Sequence, residues 1–232
     1  RYRLLCIHQY IIDPDREYTK LCQELEGTLL KIGPGSETYI NVFDIRQESV
    51  EEGEKGYLAT KIQKLIGFFN LIFGNMNEKE KAILEEKIIE VYQEKGITFD
   101  DKSLYKIEKE KISIKPVFKD TKDMPRLEDF YKILGKDERT KNFEIKLLPF
   151  VKGSLSFFNH YTNIEIDNEL IVADVYDLGE ENLKYGMYLF TDLFWDKIKK
   201  DRKQKKAIYL DEIWRLIGVT SNKHVASFIY KI

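Results

Sequence analysis

A short, wholly apolar run that ends in two acids constrains the fold of this chain more than any other feature. The run covers residues 207–210, and Asp211 and Glu212 follow it directly. Such a run, bounded by charged residues, is typical of a strand that is buried on both faces, as the strands of parallel sheets are. The run therefore predicts an α/β fold whose sheet contains this strand.

The N-terminal part of the chain alternates between strand and helix patterns. A strand is predicted over residues 8–12, a helix from about residue 17 to residue 25, and a second apolar stretch over residues 28–32. A glycine-proline turn then leads to another apolar segment, residues 39–43. This alternation of strand and helix patterns is typical of an α/β fold.

From about residue 48 the apolar residues recur at helical spacing. The pattern predicts a long helix over residues 58–73 and a second helix between Asn77 and Gly96. A third helical stretch is predicted to open at Asp123 and Pro125 and to end at Gly135. Asn77 followed by Glu80 is a capping signature. Residues 104–118 fit neither pattern clearly, so their structure stays open.

Strand signals return near residue 163. Residues 163–166 and 169–175 flank the turn-prone pair Asp167 and Asn168, which predicts a β-hairpin. A long helix is then predicted over residues 180–200, ahead of the apolar run that ends at Asp211.

Three regions follow from these patterns. We expect residues 1–47 to form the first part of an α/β core, residues 48–146 a mainly α-helical insertion, and residues 147–232 the second part of the core. The first residue is not Met, and residues 222–232 have an amphipathic helical pattern with no stop signal. Both ends are therefore expected to be truncated.

Composition excludes several classes of protein. Lys and Arg number 38 against 40 Asp and Glu, so the overall charge gives no sign of nucleic-acid binding. Two cysteines without a CxxC motif and three scattered histidines suggest neither a disulfide framework nor a zinc site. No apolar run approaches the roughly 18 residues that span a bilayer. A reducing cytosolic compartment fits these features.

The acids after the apolar run suggest a Walker B element, the magnesium-binding strand of P-loop NTPases. Asp211, at the carboxyl end of a buried strand, is placed to hold Mg²⁺ directly or through water. Glu212 is placed to orient or deprotonate an attacking water. On this motif alone the alternative stays open that the strand merely ends in two solvated acids.

A similar pattern occurs near the N-terminus, where Asp13 ends a strand and Glu17 lies one helical turn further on. If the two strands are parallel, Asp13 lies on the same side of the sheet as Asp211. The alternative is that Asp13 or Asp15 caps the following helix.

Three other features have plainer explanations. The basic run over residues 199–206 is predicted to be a solvated helix end, with cations near its negative dipole. Trp195 and Trp214 are expected in the core. His160 has no neighbouring nucleophile and is interpreted as a loop or packing residue.

Taken together, five segments resemble one family. IIDPDREY, YINVFDIR, GSLSFFNHYTNIEI, LIVADVYDL and AIYLDEIWRLIG follow in order the pattern of the VirB/TraC-type ATPases of conjugative type IV secretion. The resemblance covers nearly the whole chain, and its most specific parts are DPDREY and LDEIW. It implies a RecA-like P-loop NTPase core with an α-helical insertion, within the wider group of FtsK/HerA-like motors.

The resemblance also implies cofactors and residue roles. ATP and Mg²⁺ are the expected cofactors, with Asp211 as the magnesium-associated acid and Glu212 as the catalytic carboxylate. Asp13 and Glu17 are expected, with Asp211, to line the cofactor crevice. No GxxxxGK[ST] sequence is present in these residues. The resemblance places that phosphate-binding loop just before Arg1, so a truncated ATPase domain is expected, which alone would be inactive.

Expected partners are other type IV secretion proteins, further copies of the chain in a hexamer or dimer, and DNA. The expected location is the cytoplasm, or the cytoplasmic face of the cell membrane through peripheral association with the inner membrane complex. The expected function of the ATPase is to power the transport of DNA or protein, or the assembly of a pilus. The alternatives are a DNA-translocating coupling-protein or HerA-like motor, and a non-catalytic interaction scaffold of the secretion machine.

Overall fold

The structure is a computed structural model that describes residues 5–49, 55–109, 114–164, 166–200 and 203–215. The chain divides into two compact units, Arg1–Ile40 with Thr162–Ile232, and Asn41–Tyr161. We call the first the sheet unit and the second the helical unit. The expected insertion, residues 48–146, falls inside the helical unit, and its exact bounds remain a prediction.

Strands and two helices make up the described part of the sheet unit. They are β1 (His8–Asp13), α1 (Thr19–Glu24), β2 (Thr28–Lys31), β5 (Leu170–Asp174), α6 (Gly179–Lys200) and β6 (Lys206–Leu210). The sheet has the order β2-β5-β1-β6, and every neighbouring pair is parallel. The expected α/β fold is thus confirmed, and β6 lies at an edge of the described sheet.

The alternating side chains of β1 cover both faces of the sheet. Tyr10 packs its ring 5.1 Å from that of Phe194 on α6, measured between centroids. Ile11 points the other way and packs with Val172 and with Cys22 on α1. Both faces are covered here, so residues 10–13 of β1 and the whole of β5 are buried. Strand β6 is only half-buried and not, as predicted, buried on both faces.

The predicted hairpin around Asp167 is wrong. Among the described residues of 163–166 none is in a strand, and β5 pairs in parallel with β1 and β2. Asn163 bonds a different segment, because its Oδ1 accepts the N–H of Tyr39 at 2.8 Å and its Nδ2 donates to the carbonyl of Glu37 at 2.7 Å. The Asn163 side chain therefore binds the backbone of residues 37 and 39, and not the backbone of β5.

The apolar segment over residues 39–43 contains no strand. Helix α1 starts at Thr19, two residues later than expected, because the N–H groups of Glu17 and Tyr18 bond to Asp13. The predicted helix over residues 222–232 lies outside the described residues.

The helical unit contains four α-helices and one antiparallel pair of strands among its described residues. They are α2 (Tyr57–Phe73), α3 (Glu78–Glu94), β3 (Tyr105–Lys109), β4 (Ile114–Phe118), α4 (Leu127–Leu134) and α5 (Lys141–Lys152). The three predicted helices are confirmed, and α3 begins with the predicted capping box between Asn77 and Glu80. The ambiguous segment is the antiparallel pair β3 and β4.

Aromatic side chains fill the core of the helical unit. The rings of Phe69 and Phe130 stack with centroids 4.9 Å apart, and Phe43 lies 5.5 Å from Phe130. The Tyr92 hydroxyl donates to the Phe43 carbonyl at 2.5 Å, so this core also fixes an irregular segment. Among the residues that the structure describes, no helix is long and apolar enough to cross a membrane.

Candidate functional site at the carboxyl edge of the sheet

Parallel pairing brings the ends of three adjacent strands to one edge of the sheet, which we call the carboxyl edge. Asp13 at the end of β1 lies opposite Asp174 at the end of β5. On the other side Ile12 pairs with Leu210, and the N–H of Asp211 lies 3.4 Å from the Ile12 carbonyl. In open α/β sheets, ligands bind in the crevice outside this edge.

Asp13 is fully buried and holds the loop between β1 and α1, residues 14–18. Its Oδ1 accepts the N–H of Glu17 at 3.0 Å, and its Oδ2 accepts the N–H of Tyr18 at 2.9 Å. Asp13 thus accepts backbone N–H groups, but those of the loop and not of α1, whose N-cap residue Tyr18 makes no side-chain capping bond. The role of Asp13 toward a cofactor stays a prediction.

Three of the predicted site residues lie around Tyr18. Burial, and then the negative charges of Asp211, Glu17 and Asp13, raise the pKa of the Tyr18 phenol. Since charges act on a neighbouring pKa mainly at short range, this group marks where the carboxylates converge. Glu17 itself is exposed in the loop.

The two acids after β6 sit on a tightly constrained backbone. The Asp211 Oδ1 accepts the N–H of Glu212 at 3.0 Å. Glu212 has a φ of 52°, in the left-handed region that non-glycine residues seldom adopt. Such a conformation costs on the order of 1–3 kcal/mol and often occurs at functional sites.

One oxygen of Glu212 is buried but makes no hydrogen bond. This is Oε2, and the Arg215 Nε lies 3.6 Å from it, beyond hydrogen-bond range but close enough for an ion pair. The terminal nitrogens of Arg215 bind Asp15, with Nη1 to Oδ1 at 2.9 Å and Nη2 to Oδ2 at 3.3 Å. The carboxylate thus keeps acceptor capacity that the described residues do not use.

A second ion-pair cluster, centred on Arg16, lies at the same edge and was not predicted from the sequence. Arg16 donates from Nε to the Asp174 Oδ2 at 2.7 Å and from Nη2 to the Asp177 Oδ2 at 2.5 Å. These bonds raise the pKa of the Arg16 guanidinium, which also lies 4.8 Å from the Tyr176 ring centroid. Asp174 ends the apolar run LIVAD in the same way that Asp13 ends its strand. This pattern is the signal that could have revealed Asp174.

The placement of Trp214 in the core is wrong. Its side chain is 60% exposed, and the Arg215 guanidinium lies 5.4 Å from its ring centroid. In the basic run, the Lys206 Nζ donates to the carbonyl of Ile198 in α6 at 3.1 Å. That contact supports the helix-end interpretation of the run, because cations are favoured near carbonyls at a helix C-terminus.

The acids fit a magnesium ion of the kind that nucleotides carry. Magnesium is usually bound by one or two carboxylates together with substrate phosphates, and Asp211 and Glu212 supply such oxygens. The buried Oε2 of Glu212 without a hydrogen bond is the specific feature that fits. No group of three or more His, Cys, Asp or Glu side chains that could hold a metal ion occurs within the described ranges.

A parallel sheet with acids at the ends of adjacent strands defines an α/β protein whose candidate ligand crevice lies outside the carboxyl ends of those strands. The structure is similar to that of VirB4 of Thermoanaerobacter pseudethanolicus, with a TM-score of 0.77 and 25% sequence identity, over 98% of this chain and 81% of that one. The resemblance to VirB/TraC-type ATPases is thereby confirmed, and it supports a type IV secretion ATPase as the class. No protein-family model and no curated protein matches the sequence.

Proposed function

We propose that this chain supplies the magnesium-binding and water-directing carboxylates of an ATPase that powers conjugative type IV secretion, by moving DNA or protein or by assembling a pilus. The observation that carries the proposal is the meeting of Asp13, Asp211 and Glu212 at the carboxyl edge of one parallel sheet. The VirB4 similarity supports it.

Each carboxylate has a distinct part in the proposed reaction. Asp211 holds Mg²⁺, which neutralises charge on the phosphates when it is bound. Glu212 orients the attacking water and accepts its proton, and its Oε2 makes no hydrogen bond to the described residues. Asp13 fixes the β1–α1 loop, and Glu17 is an exposed residue of that loop.

The phosphate contacts are proposed to come from outside these 232 residues, because the sequence contains no GxxxxGK[ST] loop. We expect ATP binding and turnover from a chain extended upstream of Arg1 by one strand, loop and helix, on the order of 30–40 residues. The 232 residues alone should do neither.

Glu212→Gln in the extended chain tests the catalytic role. The substitution keeps the shape but removes the base, so turnover should fall by about 100-fold or more, while ATP binding is largely retained. Glu169→Gln is the matched control, since Glu169 directly precedes β5 and lies at the amino ends of the strands, away from the carboxyl edge. Normal hydrolysis by Glu212→Gln would refute the assignment.

The proposed partners are other type IV secretion proteins and further copies of the chain, in a hexamer or dimer. The proposed location is the cytoplasm or the cytoplasmic face of the membrane. DNA as a partner is tested by adding single- and double-stranded DNA to the turnover assay. Stimulation would favour the DNA-translocating alternative, and indifference would count against it.

A further inference from the structure

Arg215 lies between the proposed catalytic carboxylate and the β1–α1 loop. Its backbone N–H donates to the Glu212 carbonyl at 2.8 Å, which closes a turn directly after β6. The side chain then binds both oxygens of Asp15 and brings its Nε to 3.6 Å from the Glu212 Oε2.

We propose that Arg215 is a positioning residue that holds the Glu212 carboxylate in place and connects it to the β1–α1 loop through Asp15. This inference rests on the proposed function, in which Glu212 directs the attacking water. Arg215 itself is not assigned a contact with ATP.

The geometry explains why an arginine suits this position. The planar guanidinium binds the Asp15 carboxylate through two nitrogens at once, and this fork fixes the direction of the remaining Nε. Asp15 raises the pKa of Arg215, so the positive charge beside Glu212 is permanent at working pH. A lysine has a single charged nitrogen and cannot make both contacts.

The same loop is held on its other side by Arg16. Its bonds to Asp174 and Asp177 connect the β1–α1 loop to the segment after β5, while Asp15 connects it to the segment after β6. The β1–α1 loop is therefore joined to the segments that follow both neighbouring strands.

Steady-state kinetics of the extended, ATP-hydrolysing chain test the positioning role. Arg215→Gln should lower kcat by about 10- to 100-fold with little change in the KM for ATP, because the carboxylate is misplaced but binding is not. Asp15→Asn should have a similar, smaller effect. The double variant should be no worse than Arg215→Gln alone, since both substitutions break the same connection.

Arg139→Gln is the control, since it removes an arginine from an ion pair with Asp137 and Glu86 in the helical unit. It should leave kcat unchanged. Trp214 provides a structural readout, because its ring lies 5.4 Å from the guanidinium of Arg215. In a Trp195→Phe background, its fluorescence should change in Arg215→Gln and stay the same in Arg139→Gln.

The outcomes separate this inference from the proposed function. If Glu212→Gln is inactive but Arg215→Gln keeps a normal kcat, the positioning role is wrong and the proposed function stands. If Glu212→Gln hydrolyses ATP normally, the proposed function itself fails. Fully additive losses in Asp15→Asn and Arg215→Gln would overturn the connection through Asp15.

Discussion

The two units of this chain use buried polar groups in different ways. In the helical unit, Tyr92 and Thr140 donate their hydroxyls to the backbone carbonyls of Phe43 and Leu134, at 2.5 and 2.6 Å, inside an aromatic core. In the sheet unit, the buried acids Asp13 and Asp174 lie at the carboxyl edge, where they accept N–H groups of the segments that follow β1 and β5. The hydroxyls of the helical unit satisfy buried carbonyls and stabilise the core. The acids of the sheet unit lie at the same edge as Glu212, a residue with strained backbone, at the proposed site of chemistry.

The largest effect is expected from Phe69→Ala in the helical unit. Phe69 is fully buried, and its ring contacts those of Phe43, Phe68, Phe73 and Phe130. The free energy of unfolding of this unit should fall by about 3–5 kcal/mol. Hydrogen exchange of α2 to α4 during urea titration would measure the loss.

The control for that substitution is Ile145→Ala, because Ile145 on α5 is 62% exposed. It should change the free energy of unfolding by less than about 0.5 kcal/mol. Equal losses from both substitutions would mean that the aromatic cluster does not dominate the stability of the helical unit.

Asp174→Ala tests the acids of the sheet unit. The substitution removes a buried partner of Arg16 and the acceptor for the N–H of Tyr176, so this unit should lose about 1–3 kcal/mol. Exchange of the β1 and β5 amides would report the loss. Asp167→Ala, which removes an exposed acid from the same unit, should have little effect. If Asp174→Ala is also silent, the acids do not hold the loops.

Tyr92→Phe tests the buried hydroxyl of the helical unit. It deletes only the hydroxyl that bonds to the Phe43 carbonyl, and the helical unit should lose about 1 kcal/mol. Tyr105→Phe, on an exposed tyrosine of the same unit, is the control. The difference in urea midpoint between these two variants is the measurement, and no difference would contradict the assigned role of the bond.

The smallest effect concerns the surface ion pairs of the helical unit. Arg139, Lys132 and Lys141 lower the pKa values of Glu86, Glu128 and Glu144 below the usual 4.5. Because the folded-state pKa is lowered, the stabilisation is present above pH 4.5 and is lost as the pH falls through the folded-state value.

A modest drop in helix protection is therefore expected between about pH 7 and about pH 3, and it should shrink in about 1 M salt. Glu86→Gln should reduce this response. A drop that salt leaves unchanged would point to buried groups instead of these surface pairs.

Local sequence patterns were sufficient for much of the fold. Strands β1 and β6 were found because short apolar runs end in acids, and α2 and α3 because apolar periodicity and a capping pair are local signals. Helix α5 was missed because it contains Pro149, which normally argues against a helix.

The wrong hairpin prediction and the ion pairs that were not predicted have one physical cause. Both depend on contacts between residues that are distant in the sequence. The hairpin prediction used only the turn at Asp167 and Asn168, whereas the partners of β5 are β1 and β2, far away in the sequence. In the site, Asp211 and Glu212 follow a recognisable strand. The pair Arg16 and Asp174 is separated by 158 positions, and Arg215 and Asp15 by 200, so no local pattern could join them.

Hydrogen exchange of the extended chain with and without Mg²⁺ and ATP tests the central claim most directly. Binding at the carboxyl edge should protect the β1–α1 loop and residues 211–215, and leave the core helices of the helical unit unchanged. Protection confined to the helical unit, or none at saturating ATP, would contradict the assignment of the carboxyl edge as the nucleotide site.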